Sequence, residues 1–184
     1  MQEITLKMAS KVVKDSLIQF LAKLFTFFLI WQTIYDLYLS SNGALDNFLS
    51  LSVVYLSKFT LSSLGWDIYS SDRLLYINGY KSVEILNGCN ALNLMILFSS
   101  FIICLEGKLL KKFQFLIMGI IIIYVLNILR IISFSLATVY FQEYWSIFHE
   151  ISPFIFFYPV ILWLWYKWTV YNQINNYLIP EYRL

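Results

Sequence analysis

The chain has 184 residues, 60% hydrophobic, 20% aromatic and only 13% charged, where a soluble domain carries about 25% charged residues. With a mean hydropathy of +0.69, this excludes an ordinary soluble domain and marks one integral membrane domain. The net charge of +2 gives no basis for nucleic-acid binding. The two cysteines and one histidine form no CxxC or HExxH pattern, so no metal or other cofactor is expected.

Residues 1–15 are polar and carry Lys7, Lys11 and Lys14. The apolar run 16–39 contains Gln19, Lys23 and Asp36. It is longer than the roughly 7–15 residues of a signal peptide's apolar region and reads as a retained first span. Residues 46–64 set Asp46, Ser50, Ser57 and Thr60 at helical spacings. That polar stripe suits an amphipathic helix lying in the membrane interface, with a short fifth span as the alternative. Residues 72–86 hold Asn78-Gly79 between two β-prone runs, the signal of a type I′ hairpin. Apolar runs at about 89–106, 113–135 and 151–170 complete four firm spans, since about 20 apolar residues cross a hydrocarbon core of roughly 30 Å. Pro153 and Pro159 fall in the last, and the Tyr and Trp residues at 140–145 and 163–168 read as interfacial belts. The fold expected is an all-α multi-pass helical bundle with one small β-hairpin.

Lys108, Lys111 and Lys112 place the 107–112 turn in the cytoplasm. The N-terminal lysines prefer the same side, which requires an even number of spans between the two clusters. The runs 16–39 and 89–106 satisfy this if 46–64 does not cross. Both termini are then cytoplasmic, and the hairpin lies outside and leads into Cys89.

Cys89, Arg130 and His149 each lie about 18 residues from an inner boundary at Gly107, Lys112 and Lys167, roughly 27 Å along a helix. The three therefore share a level near the outer face. Their chemistry is complementary. A thiol attacks as thiolate, and a nearby cation, an imidazole or a helix N-terminus favours that form. Asn87 reads as a helix N-cap, which puts Cys89 in the first helical turn, with free N–H groups for an oxyanion. His149 suits general acid–base work. Arg130 suits an oxyanion or a substrate carbonyl or carboxylate, and ionisable residues within spans are usually functional. Asn127, one turn inward from Arg130 on the same face, can orient it. Asn90 flanks the cysteine, and Glu150, Glu143 and Glu84 are further polar candidates in outer segments. Taken singly, a buried small hydrophobe, a satisfied interfacial imidazole and a snorkelling cation are the plain alternatives for Cys89, His149 and Arg130. Cys104, about 22 Å from Cys89 along the same helix, reads as packing.

The segments "NGCNALNLM" at Cys89, "NILRIISF" at Arg130 and "FHEISPFIFF" at His149 resemble the exosortase/archaeosortase family of membrane-embedded cysteine transpeptidases. Order and spacing are similar over residues 83–160. Many members carry Ser-Gly after the cysteine, where this chain has Asn90-Ala91. The short chain resembles the compact exosortases of Bacteroidetes-type bacteria. The resemblance implies an enzyme of the bacterial cytoplasmic membrane with its site at the extracytoplasmic face. It implies partners that are exported proteins ending in a short motif, a membrane helix and a basic tail. Such an enzyme cleaves at the motif through a thioester and passes the acyl group to an acceptor. A non-catalytic membrane scaffold and a small anion transporter are the alternatives from other classes, although neither internal symmetry nor paired broken helices favour a transporter. The target motif, the acceptor and the oligomeric state are not encoded in these patterns.

Overall fold

The computed structural model describes residues 2–178, with side-chain surroundings given for 17–172. The chain is mostly helical. Helix α1, Gln2–Ile34, continues through a π-helical turn, Tyr35–Leu39, into the short α2, Ser40–Asn42. Gly43, with φ of 62°, ends that run in the left-handed conformation glycine tolerates. Helix α3, Ala44–Ser63, leads to strands β1, Ile68–Ser71, β2, Leu74–Ile77, and β3, Tyr80–Glu84. Helices α4, Leu92–Cys104, α5, Leu109–Tyr140, α6, Trp145–Phe156, and α7, Tyr158–Leu178, complete the bundle.

Among the described residues three helical runs are long and apolar enough to cross a membrane: Leu17–Asn42, Leu109–Tyr140 and Gln142–Asn172. The sequence reading expected a fourth at 89–106. There α4 is a helix of 13 residues, about 20 Å long. A 3-10 turn at Asn87–Cys89 and the left-handed Ala91, φ 64°, consume its expected start. Leu105, with ψ of 156°, ends it.

The polar stripe of α3 points inward. Asp46, Ser50 and Ser57 are fully buried, while Phe48, Leu51, Tyr55 and Phe59 are exposed. In water an amphipathic helix turns its polar face out; a helix bordered by lipid gains by the reverse. Helix α3 packs against α5 through Val53, Val54 and Leu61 with Ile131 and Phe134, and Tyr124 Oη donates to Ser52 Oγ at 2.6 Å across that contact.

The expected hairpin is one half of a three-stranded antiparallel meander, β1-β2-β3. Asn78 and Gly79 both have positive φ, 50° and 81°, as a type I′ turn requires. Strand β1 pairs with β2 from Ile68↔Ile77 to Ser71↔Leu74. The sheet buries Leu75, Ile77, Val83 and Ile85 with Val53, Val54 and Leu61 of α3 and Ile131 and Phe134 of α5. A second core joins α4, α5 and α7 through Phe98, Ile102, Ile123, Leu164 and Trp168. Cys89 packs against the first core and Ala91 belongs to the second, so the turn carrying Cys89 sits at their junction.

The second core depends on one close approach. A Cβ on Gly119 would stand 2.2 Å from the Phe98 ring. Gly119→Ala should therefore destabilise the chain by about 1–3 kcal/mol, the usual cost of overpacking, and Phe98→Leu should restore part of the loss. Melting of the detergent-solubilised variants checks this, and equal melting of Gly119→Ala and parent would contradict it.

Candidate active site

The Cys89 turn is fixed by side chains from three directions. Cys89 itself is half-buried, and its N–H donates to Leu86 O at 2.8 Å. Its carbonyl accepts from Asn127 Nδ2 at 3.0 Å. Asn127 is fully buried, and its Oδ1 has no partner among the described residues. The sequence reading aimed Asn127 at Arg130; the structure turns its amide to the cysteine backbone instead.

Cap and helix start also differ from expectation. The N-cap residue of α4 is Ala91, with no side-chain cap; Leu92 N donates to Asn90 Oδ1 at 3.0 Å, and Asn87 accepts from Arg73 Nη1. The left-handed Ala91 between Asn90 and Leu92 moves the helix start past Cys89. The cysteine thus precedes α4, and its own N–H, held by Leu86, is not free for an oxyanion.

Arg130 projects from α5 into the same junction. Its residue exposure is 7%. Its Nε donates to Ser152 Oγ at 3.0 Å, and Ser152 Oγ donates to His149 O at 2.9 Å. The guanidinium carbon lies 4.7 Å from the Phe134 ring centroid and 5.6 Å from that of Phe157, contacts that suit a cation over aromatic faces. Cys89 is within electrostatic reach of this cation. Among the described residues the one ion pair joins Lys81 to Glu84 at 3.9 Å, so Arg130 has no carboxylate partner. Glu143 and Glu150 are exposed and Glu84 is engaged with Lys81. Among the described residues none of the three forms an ion pair with Arg130 or His149.

His149 is exposed on α6. Its ring lies 5.4 Å from Phe134 and 5.8 Å from Trp145, centroid to centroid. Phe134 therefore bears the guanidinium and the imidazole together. Asn127 bonds the Cys89 backbone directly, Arg130 lies within electrostatic reach of Cys89, and His149 is linked to Arg130 through Phe134 and through its carbonyl bond to Ser152. Ser152 is the residue that sequence reasoning missed. Its signal was its place before Pro153, within the proline-containing α6.

Among the described residues no cluster of three or more His, Cys, Asp or Glu side chains could hold a metal ion.

Fold and site together define a helical membrane protein with a cysteine set beside a buried, carboxylate-free arginine. The transmembrane exosortase family matches residues 11–166, and the chain belongs to that family. No curated protein and no solved structure matches.

The Arg130 surroundings yield a specific expectation. Arg130→Lys keeps the charge but loses the planar fork that bonds Ser152 while covering Phe134. It should impair cleavage of a tailed substrate nearly as much as Arg130→Ala. Co-expression followed by substrate mass measurement checks this, and full activity of the lysine variant would reduce Arg130 to a mere positive charge.

Proposed function

We propose that this exosortase-family protein is a cysteine sorting protease or transpeptidase acting at the extracytoplasmic face of a bacterial cytoplasmic membrane. The observation that carries the reading is the half-buried Cys89 within electrostatic reach of Arg130, a cation with no carboxylate of its own. A buried cation left without a counter-charge favours an anion beside it. A thiolate and the oxyanion of a tetrahedral intermediate are the two anions that acyl transfer forms in turn.

In this mechanism the Cys89 thiolate attacks the scissile carbonyl. The developing oxyanion is stabilised by Arg130, whose Nε is steadied by Ser152 while its Nη groups face the reacting carbonyl. Collapse forms a thioester and expels the tail's amine, which takes a proton from a general acid. His149, brought round Phe134 by substrate, fills that acid role and then serves as base for the incoming acceptor. Asn127 holds the Cys89 carbonyl and thus the sulfur's position.

The substrates are exported proteins with a C-terminal motif, an apolar membrane helix and a basic tail. Lys108, Lys111 and Lys112 face the cytoplasm by the positive-inside rule, both termini lie there too, and the meander lies outside as part of one membrane domain. With α4 counted as a short fourth membrane helix, the proposed topology is multi-pass and has Cys89 towards the outer surface.

Two outcomes test the reading. Cys89→Ser should insert and fold but leave a co-expressed tailed substrate uncleaved, because a serine hydroxyl is scarcely ionised near neutral pH. Tail removal by that variant at the parent rate would eliminate Cys89 as nucleophile. His149→Ala should slow cleavage by about 10²–10⁴-fold, the range of a general acid–base group. An unimpaired alanine variant would take His149 out of the mechanism.

A further inference from the structure

Asp46 is a fully buried carboxylate that has no cationic partner among the described residues. Burial of such a group is unfavourable unless its oxygens are hydrogen-bonded. Both are. Oδ1 accepts from Asn90 Nδ2 at 2.6 Å, and Oδ2 accepts from Tyr35 Oη at 3.0 Å. Asp46 also stands in the first turn of α3, where the helix dipole favours a negative charge.

The arrangement converges on the residue after Cys89. An ionised carboxylate only accepts, so Asn90 must present its Nδ2 to Asp46 and its Oδ1 the other way. That Oδ1 is the acceptor for Leu92 N, which starts α4. A neutral acceptor–donor such as asparagine at position 46 would leave the Asn90 amide free to flip. The next residue, Asn47, acts on the opposite end of the same turn. Its Oδ1 accepts from Arg73 Nε at 3.1 Å, and Arg73 Nη1 donates to Asn87. Two consecutive residues of α3 thereby hold both ends of the turn Asn87–Asn90, while Asn127 holds its middle at the Cys89 carbonyl. Tyr35, supplied by the π-helical turn after α1, ties the first membrane helix to this clamp.

We propose that Asp46 is a positioning residue, which through Asn90 fixes the turn that presents the Cys89 sulfur beside Arg130. The proposal rests on the reading of Cys89 as nucleophile. Asp46 touches neither the sulfur nor Arg130 and acts only through Asn90.

The test uses the full chain with Cys104→Ala, so that Cys89 is the single thiol, and iodoacetamide as probe at neutral pH. Asn90→Asp faces one carboxylate with another and should slow alkylation of Cys89 about tenfold, the scale of coupling within one hydrogen-bond network. The exchange Asp46→Asn with Asn90→Asp rebuilds an amide–carboxylate pair in reverse, and should return the rate to within about threefold of the parent. Intact mass against time gives the rates, and melting in detergent confirms folding. Alkylation at the parent rate in Asn90→Asp overturns the proposal, even with altered melting, since a purely structural pair would show that result. So does a folded exchange variant as slow as Asn90→Asp. Should Asn90→Asp fail to fold, Tyr35→Phe removes the other donor to Asp46, and parent-rate alkylation in that variant also overturns the proposal. Alkylation needs no protein substrate. Normal cleavage by Cys89→Ser would therefore discard the nucleophile reading while leaving the alkylation comparison intact.

Discussion

The structure around Cys89 is organised by a guanidinium buried without a carboxylate. Removing such a charge from water is unfavourable by several kcal/mol even after relaxation, so its surroundings must compensate. Ser152 accepts one donor, and the rings of Phe134 and Phe157 lie within cation–π distance. Each contact comes from a separate constraint on the chain. Phe134 is one turn along α5 from Arg130, Ser152 needs α6 folded back along α5, and Phe157 sits at the break between α6 and α7. The fold of the C-terminal half can thus be understood as the set of helix placements that keep Arg130 buried and cationic.

The sequence made some of this legible. The Asn78-Gly79 turn was readable because positive φ at two successive residues has a strong compositional signature. The common level of Cys89 and Arg130 was readable because helical rise converts residue counts into depth. Strand β1 was not, since its four residues, "IYSS", are too few to show a period. Asp46 was visible as part of a polar stripe, but periodicity reveals that two faces differ and not which of them turns inward; lipid reverses the usual answer. The start of α4 was misplaced because Asn87 fits an N-cap in sequence, and nothing in the letter for Ala91 announces a left-handed backbone. His149 was placed at the right end of the bundle, yet its ring rests on Phe134 and Trp145 and does not enter the junction, a side-chain direction that counting along a helix cannot resolve.

The Cys89 turn also shows how a polar site is held among apolar helices. Asn87, Cys89 and Asn90 are each bound by a side chain from elsewhere in the chain. Such fixed partners are needed where backbone leaves regular structure beside a membrane, because lipid offers nothing to replace a lost hydrogen bond.

The brevity of α4 bears on the bilayer as much as on the protein. A helix of 13 residues covers about 20 Å of a hydrocarbon core roughly 30 Å deep. If α4 crosses as the proposed fourth membrane helix, the lipids beside it must thin to match, at fractions of a kcal/mol for each ångström of mismatch. A dimple in the leaflet next to Cys89 would lower the water surface toward the sulfur. A peptide bond just outside a membrane helix could then meet the thiol without that helix being drawn out of the lipid.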